Sequence, residues 1–128
     1  MSSVLLSWGR GRYGVLGHGH EYDVELPRRV SAAPPVISIA CGELHTLALT
    51  ADGRVLSWGS GLMGALGNGE LGACRSPAEV HGLRAVRQLT AVAAGRHHSL
   101  ALTVDGEVYG WGMCGSAAEC VSTQPHAA

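Results

Sequence analysis

Short apolar segments separated by turn residues follow one another along most of the chain. Residues 36–41 and 46–50 are apolar, have the length of strands, and are bounded by glycine or turn residues. A third apolar segment, residues 55–58, follows the second across an Asp-Gly pair. Asp-Gly between two such segments predicts a β-hairpin, because glycine accepts the positive φ of a tight turn. The same order returns about fifty residues later, so the predicted hairpin turns contain Asp52, Gly53, Asp105 and Gly106.

Two weaker strand signals lie around residues 27–30 and 77–80, where proline suits an edge strand. Residues 83–94 have a composition that also allows a helix. Their second half is equivalent to residues 36–41, so we predict a strand there. Each period therefore contains a strand, a hairpin, a Gly-rich loop and an outer strand. Four short antiparallel strands per period describe a blade of a β-propeller, and the predicted fold class is all-β.

The chain repeats itself at a period of about fifty residues. Residues 6–19 match residues 56–69 at nine of fourteen positions, and residues 42–59 match residues 95–112 at eleven of eighteen. A fixed period of this size is typical of repeat architectures. The recurring positions, to which we assign structural roles, include Trp8, Trp58, Trp111, His45 and His98.

The string Gly-x-Gly-x-x-Gly after a strand resembles a dinucleotide-binding loop. That loop needs a helix opening at its third glycine, and the glycines that follow would not start one. Its second copy, at residues 59–64, also indicates a structural repeat. We therefore predict turns here and no bound cofactor.

Composition excludes several functional classes. The 128 residues contain 46% hydrophobic residues, 19 glycines and no Lys, and the net charge is −1. Arginine and acidic residues are interspersed, so neither DNA nor a membrane surface is an expected partner. The four cysteines form no Cys-x-x-Cys pair. We expect a soluble chain with reduced thiols, located in the cytoplasm or nucleus.

The residue types that suggest catalysis or metal binding are better explained by the repeat. We expect His45 and His98 to bond the backbone of a neighbouring blade. Residues 18–20 form His-x-His, but their counterpart is Asn-x-Glu and zinc needs three or four protein ligands. Asp52 belongs to a turn, which argues against a Ser-His-Asp triad with His45. No catalytic, cofactor-binding or metal-binding residue is predicted.

The combined repeat, Gly-x-x-His-Thr/Ser-Leu-Ala-Leu-Thr-x-Asp-Gly-x-Val-x-x-Trp-Gly-x-Gly-x-x-Gly-x-Leu-Gly-x-Gly, resembles that of the regulator of chromosome condensation family. The resemblance implies a β-propeller, seven-bladed in complete members. Residues 1–112 are expected to form a partial propeller of two to two-and-a-half blades, with periods near residues 4–35, 36–84 and 85–112. Residues 113–128 form a degenerate tail, because Cys114 and Cys120 replace repeat glycines; we expect it to be loosely ordered. So few repeats suggest a fragment of a larger propeller.

The expected function is noncatalytic protein interaction. Arg10, Arg12, Tyr13, Arg28 and Arg29 form a local basic and aromatic group of the residue types found in interface hot spots. The alternative, implied by the family resemblance, is guanine-nucleotide exchange on a small GTPase of the Ran type. The expected partner is a protein, and under the alternative function it is such a GTPase. Self-association through open blade edges is a further possibility.

Overall fold

The computed structural model describes residues 3–31, 33–68, 72–83, 86 and 88–112. The predicted tail at 113–128, with its two cysteines, lies outside these residues. All regular structure in the described part consists of strands and short 3₁₀ turns, which confirms the all-β prediction. Its strands are β1 (Leu6–Gly9), β2 (Val24–Arg29), β3 (Val36–Cys41), β4 (His45–Thr50), β5 (Val55–Gly59), β6 (Cys74–Glu79), β7 (Leu89–Ala94), β8 (His98–Thr103) and β9 (Val108–Gly112), and its 3₁₀ turns are Arg12–Gly14, Leu62–Gly64 and His81–Leu83.

The described strands form three antiparallel sheets. The first contains β1 and β2, the second is the four-stranded order β3-β4-β5-β6, and the third is β7-β8-β9. The second sheet is the predicted four-stranded blade. Its β4–β5 hairpin turns at Asp52-Gly53, where Gly53 has the positive φ of +90° that favours glycine.

The outer strands β2 and β6 begin three residues before the segments in which we predicted them, and each includes a proline, Pro27 or Pro77. Both strands lie at the edge of their sheets. An edge strand tolerates proline because the missing N–H faces away from the ladder. The segment with ambiguous composition ends in β7, as its repeat position predicted.

The hydrophobic core lies between the sheets, and β4 contributes to both interfaces. Its side chains alternate, so Leu47 and Leu49 join the cluster shared with the third sheet, whereas Ala48 joins the cluster shared with the first. Every residue of β4 is consequently buried. Full burial of a leucine stabilises the fold by about 1.5–3 kcal/mol. The chain is thus held together between neighbouring repeats.

Several members of the two clusters occupy equivalent positions of successive repeats. Val55 and Val80 of one cluster occupy the positions of Leu5 and Val30 in the other. The larger cluster contains Leu47, Leu49, Val55, Val80, Leu83, Leu89, Val92, Ala101 and Trp111, and the smaller contains Leu5, Val30, Val36, Ala48, Leu56 and Trp58.

A carbonyl in each Gly-rich loop accepts two hydrogen bonds from the next sheet. Trp58 Nε1 and Thr46 Oγ1 donate to the Val15 carbonyl at 2.8 and 3.0 Å. We call this pair of bonds the indole clasp. A buried hydrogen bond contributes about 1 kcal/mol and also fixes direction, which apolar contact does not. One repeat later the donors are Trp111 Nε1 (2.9 Å) and Ser99 Oγ (2.7 Å), and the acceptor is the Ala65 carbonyl.

Glycine is required where the loop passes over the indole. A Cβ at Gly17 would lie 2.9 Å from Trp58 Nε1, and one at Gly67 would lie 2.9 Å from Trp111 Nε1. Both glycines also have positive φ, +81° and +67°. The repeated glycine, at 17 and 67, and the repeated tryptophan, at 58 and 111, therefore reflect a contact between successive repeats.

Trp8 occupies the same repeat position but a different environment. Its side chain is 53% exposed, whereas Trp58 and Trp111 are each 1% exposed. None of the described residues accepts a hydrogen bond from the Trp8 indole, because no described loop lies where residue 15 or 65 lies for the other two. The described structure therefore buries two of the three equivalent tryptophans and leaves Trp8 exposed.

We predict that Gly17→Ala destabilises the fold by about 2–4 kcal/mol, because the new methyl group must displace the Trp58 indole and break the clasp. Gly53→Ala is the matched control: its φ is similarly positive, but a Cβ there meets nothing within 4 Å. We expect it to cost about 1 kcal/mol, from backbone strain alone. Urea unfolding followed by tryptophan fluorescence measures both. Equal losses would mean that the close approach at Gly17 contributes nothing.

Candidate functional site

His45 is buried at the junction of the second and third sheets, with 1% of its surface exposed. Its Nε2 lies 3.0 Å from Ser99 Oγ, and the Ser99 hydroxyl donates to the Ala65 carbonyl at 2.7 Å. A hydroxyl has one proton to donate, so the His45 Nε2 is protonated and donates to Ser99. We expected a bond to a neighbouring backbone. The ring has a hydrogen bond with the His98 backbone of the third sheet, and its contact with Ser99 also makes His45 an extension of the indole clasp.

The surroundings of His45 favour the neutral ring. Burial lowers its pKa below the ordinary value of 6.5, and this effect exceeds the opposing one of a hydrogen bond with the His98 backbone. The nearby His97 and His98 lower the pKa further. A neutral histidine with its Nε2 proton already engaged is a structural group. His98 occupies the equivalent position in the third sheet and is half-buried.

The residue types of a catalytic triad have separate partners. The Asp52 carboxylate accepts a hydrogen bond from Thr50 and faces Arg54 at 3.3 Å, and these contacts, Thr50 first, lower the pKa of Asp52. The Ser57 hydroxyl donates to the Leu66 carbonyl at 2.7 Å. Neither residue is bonded to His45 in these contacts. The geometry offers no nucleophile-base pair from this set.

The His18 and His20 rings lie near one another, with centroids 6.0 Å apart. The His18 Nε2 is already 3.0 Å from Ser7 Oγ, and the His20 Nδ1 accepts the Tyr22 backbone N–H at 3.1 Å. Within the described ranges, no group of three His, Cys, Asp or Glu side chains is arranged to hold a metal ion.

The residues that we predicted as a partner-binding group are all exposed, but they lie in two places. Arg12 and Tyr13 are on the 3₁₀ turn that follows β1, and Arg10 lies between this turn and the Gly9 end of the strand. Arg28 and Arg29 pair across the sheet with Ser7 and Leu6, near the other end of β1. The register thus divides the group into a loop part and a strand part.

A second polar cluster was missed by the sequence reasoning. His20, Glu21, Tyr22 and Arg75 line a shallow depression of about 280 Å³, and Arg28 Nη1 lies 3.4 Å from the His20 ring. Glu21 and Arg75 form an ion pair at 2.9 Å that joins the first two sheets. In the repeat alignment Glu21 corresponds to Leu71 and not to Arg75, so the alignment does not predict this pair. A second ion pair lies between the next two sheets.

That second ion pair connects Glu43 and Arg96 at 3.2 Å. These two residues occupy the same position of successive repeats, directly after Gly42 and Gly95. Both side chains are well exposed, so the pair contributes at most about 1 kcal/mol. It links the loop after β3 in the second sheet to the loop after β7 in the third.

Two profiles of the regulator of chromosome condensation (RCC1) repeat match the sequence, one over residues 4–49 and 52–102 and the other over residues 36–65 and 89–116. The first covers well over half of the chain. The chain belongs to the RCC1 repeat family.

The relatives of this RCC1 repeat chain include proteins that are named for different functions. It is 43% identical over 112 residues to human E3 ubiquitin-protein ligase HERC2, covering 84% of the chain and 2% of HERC2. It is 41% identical over 110 residues to the Arabidopsis thaliana ultraviolet-B receptor UVR8, covering 84% of the chain and 25% of UVR8. Human protein RCC2 is 39% identical over 111 residues. The chain therefore spans a quarter or less of each of these three relatives.

Solved structures of the family superimpose on nearly the whole chain. Prp20p from Saccharomyces cerevisiae, described with its binding properties to Gsp1p and histones, gives a TM-score of 0.82 at 28% identity and covers 99% of this chain and 34% of its own. Human WBSCR16 gives a TM-score of 0.80 at 26% identity and covers 100% of this chain and 35% of its own. The three sheets are accordingly RCC1 propeller blades, and the chain spans about a third of each structure.

Nothing helical in the described part of this RCC1 repeat chain has the length and apolar content that a membrane crossing requires. Two cysteines are described, Cys41, which is exposed, and Cys74, which is half-buried, and both are free. Neither adds a cross-link to the blades.

We predict that acid destabilises the fold through His45. Its folded-state pKa is lowered, so below pH 6.5 the unfolded chain binds a proton that the folded chain does not. The contribution of neutral His45 to the free energy of unfolding is fully present above pH 6.5. It is lost as the pH falls towards the folded-state pKa, and the free energy of unfolding then changes by up to about 1.4 kcal/mol per pH unit. Urea unfolding between pH 7.5 and 5 measures this slope.

His45→Gln keeps a side-chain donor and removes the titrating ring, so we expect a shallower slope than in the unmodified chain. His81→Gln is the matched control, because His81 is exposed. If His45→Gln and His81→Gln have the same pH dependence, His45 does not cause the acid sensitivity.

Proposed function

We propose that the chain is a noncatalytic protein-interaction segment. Its RCC1-type loops have the same backbone conformation in successive repeats but present different side chains to a protein partner. It acts without a cofactor, in the cytoplasm or nucleus. The partner-binding surface is centred on the first Gly-rich loop, with Arg10, Arg12 and Tyr13, and Arg28 and Arg29 of β2 extend it towards the other end of β1.

The observation behind this proposal is the pair of 3₁₀ turns. Tyr13 has φ 60° and ψ 11°, and Met63, one repeat later, has φ 61° and ψ 19°. Their exposed fractions are 43% and 42%. The backbone and exposure are nearly the same, yet Arg-Tyr stands in one loop and Leu-Met in the other. Residues that differ where the frame is constant are the ones free to determine partner specificity.

The positive φ of Tyr13 supports a functional reason for its side chain. The left-handed region costs a non-glycine residue about 1–2 kcal/mol, and glycine would occupy it without strain. An exposed aromatic side chain kept at such a position gains little from burial within its own chain. Tyrosine and arginine are enriched among the residues that dominate binding at protein interfaces.

The engaged polar residues support a noncatalytic role. His45, Asp52 and Ser57 are each committed to a structural hydrogen bond. A general base or nucleophile needs a partner that is oriented towards substrate, and these three are oriented towards the fold.

The alternative function is guanine-nucleotide exchange on a small GTPase of the Ran type. It is supported by the fit to Prp20p, whose structure was described together with its binding to Gsp1p. The chain spans 34% of Prp20p, so exchange by this chain would have to come from about three adjacent sheets.

We predict that Tyr13→Gly weakens partner binding at least about tenfold while leaving the fold as stable or more stable by up to about 1–2 kcal/mol, because strain is relieved as the contact is lost. Met63→Gly is the matched control with the same backbone and should retain binding. A photoreactive phenylalanine at position 13 identifies the partner by cross-linking, and its affinity for the purified variants is then measured. Equal affinities for the two variants would remove the first loop from the interface.

We predict that the chain at micromolar concentration does not accelerate release of labelled GDP from a Ran-type GTPase. The reason is that interaction through one loop surface holds a partner without opening its nucleotide site. A stopped-flow fluorescence assay measures the release rate. Acceleration would support the alternative function and contradict the noncatalytic one.

A further inference from the structure

The shallow depression of about 280 Å³ lies between the first and second sheets, beside β6 and the start of β2. We call it the His20 depression, and it is lined by His20, Glu21, Tyr22 and Arg75. Two backbone contacts hold the loop before Tyr22 against β6. The Gly19 N–H donates to the Arg75 carbonyl at 2.9 Å, and a Cβ at Gly14 would lie 2.5 Å from the Arg75 Cα. Two adjacent described sheets therefore fix the walls of the depression.

More hydrogen-bond donors than acceptors converge on the His20 ring. The Tyr22 backbone N–H donates to Nδ1 at 3.1 Å, so the proton of the neutral ring is on Nε2. The Arg28 guanidinium can only donate, and its Nη1 lies 3.4 Å from the same Nε2. Two donors therefore face each other at this point. An acceptor oxygen placed beside both nitrogens would receive a hydrogen bond from each.

The charge at the depression also favours an anion. Arg75 Nε is paired with the Glu21 carboxylate at 2.9 Å, and both side chains are exposed. No described carboxylate lies within ion-pair distance of the Arg28 guanidinium, so these three groups leave one positive charge. The neighbouring Asp23 carboxylate accepts the Gly11 N–H at 3.0 Å instead. Because an exposed ion pair is weak, a more highly charged anion can compete with Glu21 for Arg75.

A phosphoryl group matches these donors better than a carboxylate does. It carries about −1.5 to −2 charges at pH 7 and three strong acceptor oxygens. The donors belong to three segments of the chain, with His20 in the loop, Arg28 on β2 and Arg75 on β6. A carboxylate has two oxygens and a single charge, so it would gain less against the repulsion of Glu21.

We propose that the His20 depression binds the phosphoryl group of a phosphorylated serine or threonine in a partner protein. The phosphoryl oxygens accept hydrogen bonds from His20 Nε2 and Arg28, and Arg75 adds charge and further N–H donors. Clusters of arginine recognise phosphorylated motifs in this way. The shallow depth suits these short side chains better than the longer phosphotyrosine. The inference rests on the proposed protein-interaction function and names the chemistry of the partner.

An exposed aromatic ring at the depression favours a protein-borne group over free phosphate. Tyr22 lines the depression, its side chain is 76% exposed, and its ring centroid lies 5.1 Å from that of His20. A residue that flanks the phosphorylated one can pack on this ring. Free phosphate has no such second contact, so it should bind more weakly.

The test uses the intact chain and two labelled peptides of the sequence Gly-Ala-Ser-Leu-Ala-Gly, one with and one without a phosphate on the serine. Fluorescence anisotropy at constant ionic strength measures their affinities. We expect saturable binding of the phosphopeptide and at least about tenfold weaker binding of the unmodified peptide, because the charge-assisted hydrogen bonds are lost.

Variants of the chain identify the residues involved. We expect Arg28→Gln to weaken phosphopeptide binding at least about fivefold, through loss of a charge-assisted hydrogen bond. Glu21→Gln should strengthen binding at least about threefold, because it removes a repelling charge and releases Arg75. A merely structural role of the Glu21–Arg75 pair would not produce this gain. Arg96→Gln is the matched control, since it removes the same charge from the equivalent exposed ion pair of the next two sheets.

Several results would overturn the proposal: equal binding of the two peptides, equal effects of Arg28→Gln and Arg96→Gln, or weaker binding by Glu21→Gln. Equal binding of a peptide with glutamate in place of phosphoserine would show a carboxylate site instead. Inorganic phosphate that competes at the same concentration as the phosphopeptide would show a site for the free ion. The cross-linking assay at position 13 does not use this depression, so failure here leaves the proposed function to be decided there.

Discussion

The hydrogen bond from a tryptophan indole to the carbonyl of the preceding Gly-rich loop is the constraint on which the arrangement of the sheets depends. A buried indole N–H needs an acceptor, and here the acceptor belongs to another repeat. The loop must cross the ring closely enough to deliver its carbonyl, which explains the glycines at 17 and 67. His45 extends the same network through Ser99. Apolar burial supplies most of the attraction between sheets, and these bonds determine how the sheets are placed.

A frame fixed in this way leaves other positions free to vary. The 3₁₀ turns keep their dihedral angles while their exposed residues change from Arg-Tyr to Leu-Met. The charged pairs between sheets behave similarly: Glu43 and Arg96 are equivalent residues with opposite charge. Structure is thus conserved between repeats by residues facing the next sheet, and chemical differences accumulate on the residues facing solvent. The relatives include proteins named for different functions, the E3 ubiquitin-protein ligase HERC2 and the ultraviolet-B receptor UVR8, which is consistent with such a division.

Much of the fold could be predicted because its signals are local. The Asp-Gly turns, the alternation in residues 46–50 and the repeat period were sufficient to predict four-stranded antiparallel units. The partners of the conserved side chains could not be predicted, since the Trp58–Val15 bond joins residues 43 positions apart and has no signature within either segment. The candidate site was predicted less well. Residue types placed Arg12 and Arg28 in one candidate group. Only the β1–β2 register shows that the loop arginines and the strand arginines lie at different ends of β1.

The unequal burial of the three tryptophans gives the chain an internal optical reporter. Trp58 and Trp111 are enclosed by the clasp, whereas the Trp8 ring is in contact with water. Indole emission depends on the polarity around the ring, so the long-wavelength component and its access to small quenchers belong mainly to Trp8. Whatever covers the first blade changes that component and leaves the other two nearly unchanged. The state of one blade surface can therefore be observed in the unlabelled protein.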